Sequence, residues 1–230
     1  MSSCSWLRRP LHHGKRKAIV LSPSLLQIQP MEFDFEGKDL PQAYKLLAGL
    51  VTPRPIAWVT TIDEEGRVNA APFSFFNVFG ADPPIVAFAP GNRAPGIPKD
   101  TARNLRRNGQ FVVNLANETL ADAMVACAAS RPHGENELDH VNLTTAPSTS
   151  INTPRIAEAP VSLECTEWST LEIGRNRLVI GVVKRVHVQE GILDPQTLHV
   201  NLEAYRPIGR MHGPDGYTRT RDVFTIERPD

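Results

Sequence analysis

Three segments carry residue types that chemistry needs, at spacings that bring them together. Val51-Thr-Pro-Arg-Pro-Ile-Ala-Trp-Val-Thr-Thr61 and Asn69-Ala-Ala-Pro-Phe-Ser-Phe-Phe-Asn77 carry hydroxyls, a guanidinium and aromatic rings on adjoining extended runs, and Lys99-Asp-Thr101 follows at the start of a helix. A helix N-terminus offers free N–H groups and a positive dipole end, so Lys99 and Thr101 beside one make a plausible phosphate site. The same residues fit an ordinary surface helix capped by Asp100, and spacing leaves the two readings even. Phe73, Phe75 and Phe76 in a strand fit a core as readily as a ligand wall. Ser74 between them is the distinguishing residue, because a small hydroxyl among aromatics suits the polar rim of a planar ring.

Other chemistries fail on inspection. No G-x-G-x-x-G, G-x-S-x-G or H-E-x-x-H occurs, and Gly91-x4-Gly96 runs on into Ile97 where a phosphate-binding P-loop needs Lys and a hydroxyl. His133-Gly-Glu-Asn-Glu-Leu-Asp-His140 gathers two imidazoles and three carboxylates, but the spacing matches no defined ligand geometry and reads as a solvated loop. Cys127 and Cys165 fall at core-facing positions and read as small buried hydrophobes. With Cys4 they make an odd set of three without C-x-x-C spacing, which argues against a disulfide framework and fits a reducing compartment.

These segments must be positioned by regular elements. Asp39 to Gly49 reads as a short helix with Asp39 as cap and Gly49 closing it. Pro53 and Pro55 force extension, Ile56 to Ile62 reads as a strand with Ile56, Trp58 and Ile62 on one face, and Val68 to Asn77 as a second extended run paired to it in a hairpin. Ile85 to Ala89 is a short apolar strand. Asp100 caps a helix through Asn108 that Gly109 ends, and Phe111 to Leu115 is the next strand. Asn117 caps a second helix that buries Leu120, Met124 and Cys127. Residues 130 to 157 read as irregular. Val161 to Thr166 and Arg177 to Gln189 close the pattern as strands, the latter with Leu178, Ile180, Val182, Val186 and Val188 on one face. Many short strands, few helices and no β-α-β rhythm predict a mainly β protein, a closed sheet with helical insertions.

Composition is consistent with this. The 230 residues are 41% hydrophobic and 22% charged, an ordinary globular balance. Twenty-five basic and 25 acidic residues cancel, so no global basic field points to nucleic acid, and no apolar run is long enough to span a bilayer. The cancellation hides a split. Residues 1–30 hold Arg8, Arg9, Lys15, Arg16 and Lys17 and no acid, leaving 20 bases against 25 acids in residues 31–230. That basic, Ser- and Pro-containing segment is expected to be a dispensable or misassigned extension rather than a targeting signal, with the working domain at 31–230.

Taken together the motifs resemble the flavin-reductase-like family of FMN-binding split β-barrels, particularly its longer members, grouped with the reductase components of two-component monooxygenases. The likeness spans about residues 39–229. It rests on Tyr44-Lys-Leu-Leu47, Pro53-Arg-Pro-Ile-Ala-Trp-Val59, Ala71-Pro-Phe-Ser-Phe-Phe76, Pro83-Pro84, Lys99-Asp-Thr101 and Asn104. Leu163-Glu-Cys165, Ile208-Gly-Arg210, Tyr217 and Phe224 to Pro229 complete it. The resemblance implies a homodimer with FMN in an interface cleft, reduced by NADH or NADPH, and a partner monooxygenase served by reduced flavin, while the reducing compartment that the cysteines fit makes the expected location cytoplasmic. Arg54, Thr60 and Thr61 would line the ribityl and phosphate side. Ala71, Pro72, Phe73, Ser74, Phe75, Phe76 and Asn77 would meet the isoalloxazine edge. Lys99 and Thr101 would hold the phosphate while Asp100 orients the turn, with Arg210 and Tyr217 near the cofactor of one subunit or the other. Residues 90–98 look like an insertion relative to the family pattern. No acid or base is obligatory, since the cofactor carries the chemistry, and His133 or His140 would at most touch nicotinamide. Rival readings are an FMN-binding electron-transfer or storage protein without turnover, a flavoprotein that reduces another acceptor, and a dimeric scaffold with an empty cleft.

Overall fold

Pro53 and Pro55 deliver the chain extended into a strand that is buried on both faces. This strand, β1 (Ala57–Ile62), pairs antiparallel with β2 (Val68–Phe73) across the turn that Asp63 and Gly66 close. The computed structural model describes residues 30–94, 96–227 and 229. The basic extension expected at 1–30 therefore lies almost wholly outside the described residues, as does Cys4. By compactness the chain divides between Ala43 and Tyr44. In the first unit, the Asp34 N–H donates to the Asp39 carboxylate at 2.9 Å. Asp39 therefore caps nothing: a 3-10 turn, Leu40–Gln42, leads into α1 (Ala43–Leu50), and Gly49 lies inside that helix instead of closing it.

The expected run from Val68 to Asn77 breaks in two. Ser74 and Phe75 form a bend, after which β3 (Phe76–Ala81) turns into β4 (Pro84–Phe88). Short β5 (Asn92–Ala94) and β6 (Ile97–Pro98) precede α2 (Asp100–Asn108) and β7 (Gln110–Leu115). Gly109 ends α2 at φ 62°, a conformation that glycine adopts without strain. A 3-10 turn leads into α3 (Ala121–Ala126), and the Asn117 side chain accepts from Leu120 N–H as expected of a cap. The irregular region from 130 to 157 contains a 3-10 turn, Glu137–Val141, and the small pair β8 (Thr145–Ala146) and β9 (Arg155–Ile156). The long arm β10 (Val161–Ile173) and β11 (Asn176–Val188) follows, then the hairpin β12 (Ile208–Arg210) and β13 (Tyr217–Arg219).

Seven strands make one antiparallel sheet in the order β2-β1-β7-β10-β11-β4-β3. Its edge strands, β2 and β3, are consecutive in sequence and separated only by Ser74 and Phe75, so the sheet curls toward itself. Inside the curl lie Val59, Phe73, Phe88, Phe111, Val113, Cys165 and Val179, with Leu105 of α2 closing one end. Outside β1 a second core joins Trp58, Met124, Leu138 and Ile156. The two-sided burial explains why β1 has apolar residues off its expected face, Ala57 and Val59, as well as on it.

Two expectations for the long arm change. β10 runs on to Ile173, and the buried face of β11 is Arg177, Val179 and Gly181, not the Leu178–Ile180–Val182 face. Bulges at Glu164/Cys165 and Glu167/Ser169 set the register, and Gly181 is small because the Phe111 ring lies over it. No helix among the described residues is long and apolar enough to cross a membrane.

Candidate functional site

The Ser74–Phe75 bend opens onto a cleft of about 1100 Å³. One wall is Pro72, Phe73, Ser74 and Phe75, with Tyr44 tilted against the Phe75 ring at 6.0 Å. Ala89, Pro90, Gly91 and Lys99 form one end, with Asn176 and Arg177 from the root of β11. The opposite side is the face of α3 from Ala121 to Val125 and the β12–β13 hairpin, which presents Ile208, Arg210, Tyr217 and Arg219.

Lys99 is the N-cap residue of α2, which corrects the expected cap at Asp100. Its backbone is extended, and its half-buried ammonium sits 5.4 Å from the centre of the Phe73 ring. Among the described residues no carboxylate pairs with it, and burial together with nearby Arg93 pushes its pKa down. Asp100 is the first helical residue, where a negative charge suits the dipole. Its carboxylate takes a hydrogen bond from Arg93 Nη2 at 2.7 Å and meets His133 Nδ1 at 2.8 Å, tying the 90–98 segment to the helix start.

Arg54 is buried directly behind the bend. Its Nη1 donates to the carbonyls of Ala48 (2.6 Å) and Val51 (2.7 Å), and its Nε donates to Ser74 Oγ at 3.3 Å. The guanidinium lies 5.7 Å from the Phe75 ring centre. Desolvation and the neighbouring Arg210 lower its pKa. Backbone bonds in both directions link Arg54 to Arg210, at 3.0 and 2.8 Å. Arg210 stacks over Tyr217 at 4.8 Å and donates to the Gly216 carbonyl, so the hairpin braces its side chain.

Of the residues expected at a ligand, the structure brings Pro72, Phe73, Ser74, Phe75, Lys99, Arg210 and Tyr217 to the cleft lining. Thr60, Thr61 and Thr101 are fully interior. Thr60 Oγ1 donates to the Pro154 carbonyl, and Asn104 and Asn69 donate to the Thr61 and Thr101 hydroxyls at 3.0 Å each. That network fastens α2 to the sheet and so holds Lys99 in place. Phe76 is in the core, Ala71 is half-buried against it, and the Asn77 side chain is exposed, accepting from Val78 N–H. His133 stays on Asp100 and His140 lies 3.4 Å from Glu135, both away from the cleft. Glu137 turns inward to accept from Ala70 N–H at 2.7 Å, and burial raises its pKa. Both buried thiols are raised as well, Cys127 to about 12, which leaves them inert as nucleophiles.

Sequence reasoning missed Tyr44, Arg177 and the α3 face as parts of the cleft. Arg177 carried a usable signal: it sits opposite Glu172 in the arm, donates to it at 2.9 Å, and is buried despite its charge. Tyr44 and α3 come near the bend only through the fold.

A curled antiparallel sheet with a cleft beside its edge bend, walled by aromatics and a cation, defines a split-barrel protein with a cofactor-sized site. The chain belongs to the flavin-reductase-like family: residues 49–209 match the model of the flavin reductase like domain. An uncharacterised protein of Deinococcus radiodurans is 43% identical over 201 residues, covering 84% of this chain and 88% of that protein. The structure of nitrilotriacetate monooxygenase component B from Bacillus cereus aligns with a TM-score of 0.81 at 32% identity, over 86% of this chain and 99% of that one. That of 2-nitrobenzoate 2-nitroreductase from Pseudomonas fluorescens aligns at 0.78 and 35%, over 86% and 96%.

The cleft fits the group this family implies. A planar ring needs flat apolar surface with a few polar edges, which Phe73, Ser74 and Phe75 offer, and a phosphate needs an uncommitted cation, which Lys99 offers.

Proposed function

We propose that this protein is an NADH- or NADPH-dependent flavin reductase that holds FMN in the cleft beside the Ser74–Phe75 bend. The observation that carries the reading is the Lys99 ammonium: half-buried, without a carboxylate partner among the described residues, and adjacent to an aromatic wall. A buried cation is costly unless a counter-charge arrives, and a ligand phosphate is such a charge. When bound, the flavin supplies the redox chemistry by taking a hydride from nicotinamide. The chain's own part is to bind and orient. Phe73 and Phe75 support the ring, Ser74 meets its edge, Lys99 takes the phosphate, and α3 with the β12–β13 hairpin excludes water from the other side.

A second copy of the chain belongs to this reading. The outer arm exposes Trp168, Leu171 and Ile173, and β3 exposes Val78 and Phe79. Exposed apolar surface of this kind favours burial by a homodimer partner, which would complete the open side of the cleft. A cytoplasmic setting accords with the free buried thiols, and reduced flavin passing to a partner monooxygenase is consistent with the component B relative.

The likeness to a nitroreductase favours a second reading, in which the flavin stays bound and another acceptor takes the electrons. An anaerobic titration with NADH and NADPH, in the presence of FMN or FAD and followed spectrally, tests both. Bleaching of free FMN in excess over protein supports the reductase. Bleaching of one equivalent per site supports the bound-flavin reading. A colourless chain that takes up no flavin overturns both.

A further inference from the structure

Arginine has no hydrogen-bond acceptor, so in the Arg54–Ser74 contact Nε–H must donate and Ser74 Oγ must accept. The Ser74 hydroxyl keeps its own proton, which has no acceptor among the described residues, while its side chain lines the cleft. Arg54 is 9% exposed and is not part of the cleft lining, and of its nitrogens only Nη2 has no protein partner among the described residues. Two backbone carbonyls, of Ala48 in the last turn of α1 and of Val51 just past it, hold its Nη1, and the guanidinium lies 5.7 Å from the centre of the Phe75 ring.

We infer that Arg54 is a positioning residue that acts through Ser74: it fills the acceptor side of the hydroxyl and turns the O–H outward as a donor. The ligand atom it addresses is a carbonyl oxygen or imine nitrogen at the edge of a flat heteroaromatic ring. A cation one hydroxyl away makes that donor stronger than an ordinary serine, because charge-assisted hydrogen bonds are stronger than neutral ones and polarise their neighbours. It also favours electron density arriving on the ring. The carbonyls it ties, on Ala48 and Val51, couple the end of α1 to the bend, so Tyr44 and Phe75 keep their mutual tilt. This inference rests on the flavin reading above and assigns Arg54 to the ring, not to the phosphate.

The test uses the whole chain with FMN and with riboflavin, which share the ring and differ in the phosphate. Arg54→Met is expected to weaken both ligands by the same factor, about three- to tenfold, the effect of one lost hydrogen bond. It is also expected to lower the midpoint potential of the bound flavin. In the Ser74→Ala background the same substitution is expected to shift the potential no further, since the path through the hydroxyl is already gone. Ser74→Thr, which keeps the hydroxyl, is expected to restore the parent potential. A loss confined to FMN would make Arg54 a direct phosphate ligand and overturn the inference, as would additive shifts in the double variant. If Arg54→Met fails to fold, Arg54→Gln gives the same comparison, because a neutral amide can still donate to a backbone carbonyl but brings no positive charge to the hydroxyl. Parent-like potential and affinities in a folded Arg54→Gln would overturn the inference alone, whereas a parent chain that binds neither flavin would overturn the flavin reading and this inference with it.

Discussion

Glu164 and His187 meet across the long arm at 2.5 Å, and their contact pins an irregular segment onto the sheet. Glu164 is completely buried, and its two oxygens also accept from the N–H groups of Thr149 (2.7 Å) and Ser150 (2.6 Å). One carboxylate therefore anchors the loop that leads to Thr153 and Pro154, whose carbonyl receives the Thr60 hydroxyl of β1.

Burial disfavours ionisation of Glu164, but the hydrogen bonds from His187, Thr149 and Ser150 outweigh it and hold the carboxyl below its ordinary range. A lowered folded pKa adds stability that is present above the unfolded value of about 4.3 and is lost as pH falls through the folded value. Glu164→Gln should melt about 2–8 °C below the parent at neutral pH, from one weakened set of hydrogen bonds. The gap should close on acidification. Melting curves from pH 7 to pH 3 check this, and a gap that widens in acid would contradict it.

Gly181→Ala should destabilise the arm by about 1–3 kcal/mol, as overpacking does. An added Cβ would collide with Phe111 Cζ and lie 2.7 Å from Cε1. The ring cannot retreat, because Phe111 is fully buried and packs on Phe88 at 5.3 Å. Urea denaturation checks the loss, and Phe111→Leu in the same chain should recover part of it. Equal stability of Gly181→Ala and the parent would mean that the ring moves freely.

What the residue pattern could announce was local. Gly109 marked the end of α2, Asn117 marked a cap, and the turn after Ile62 marked a hairpin, because each depends on a few neighbouring backbone angles. The bend at Ser74 was hidden, since Phe73-Ser-Phe-Phe76 alternates no differently from a continuous strand. It becomes necessary only when β2 and β3 must form opposite edges of one curled sheet. The buried face of β11 was misread for a related reason. Its true face carries an arginine and a glycine: Arg177 is matched to Glu172 just across the turn of the arm, whereas Gly181 is matched to Phe111, a partner far off in sequence. Thr60, Thr61 and Thr101 have the right chemistry for a phosphate site, but their hydroxyls serve Asn69, Asn104 and Pro154, contacts that only the tertiary fold creates. Lys99 and Ser74, which line the cleft, could be singled out because one stood at an expected helix start and the other was a lone hydroxyl among aromatics.

Trp168 is 76% exposed and Phe79 65% exposed, large apolar surfaces left open by the described residues. Trp168→Asp should shift the protein toward monomer and weaken FMN binding in parallel, because association stabilises whatever binds at the shared surface. Sedimentation at several concentrations, with and without FMN, checks this. A parent chain that is monomeric at low micromolar concentration and still binds FMN fully would remove the dimer from the reading.

The phosphate assignment makes the sharpest demand on the cleft. Lys99 is oriented by the start of α2, which the Thr61–Asn104 and Asn69–Thr101 hydrogen bonds hold against the sheet. Lys99→Ala should lower FMN affinity about ten- to a hundredfold, the loss of a charge-assisted contact, and leave riboflavin affinity nearly unchanged. This pattern differs from that of Arg54, whose loss should weaken both ligands alike, so one pair of ligands separates the two roles. The pH dependence has a definite sign. Burial and Arg93 lower the Lys99 pKa, so FMN affinity should be full where the ammonium is charged and should decline as pH rises, beginning below the ordinary lysine value of about 10.4. Riboflavin should show no such decline, and Lys99→Ala should abolish it for FMN. Fluorescence quenching titrations of both flavins between pH 7 and pH 10 measure all three effects. Equal losses for FMN and riboflavin would mean that Lys99 supports the fold, and an unchanged FMN affinity in Lys99→Ala would move the phosphate to another cation of the cleft, with Arg210 the next to test.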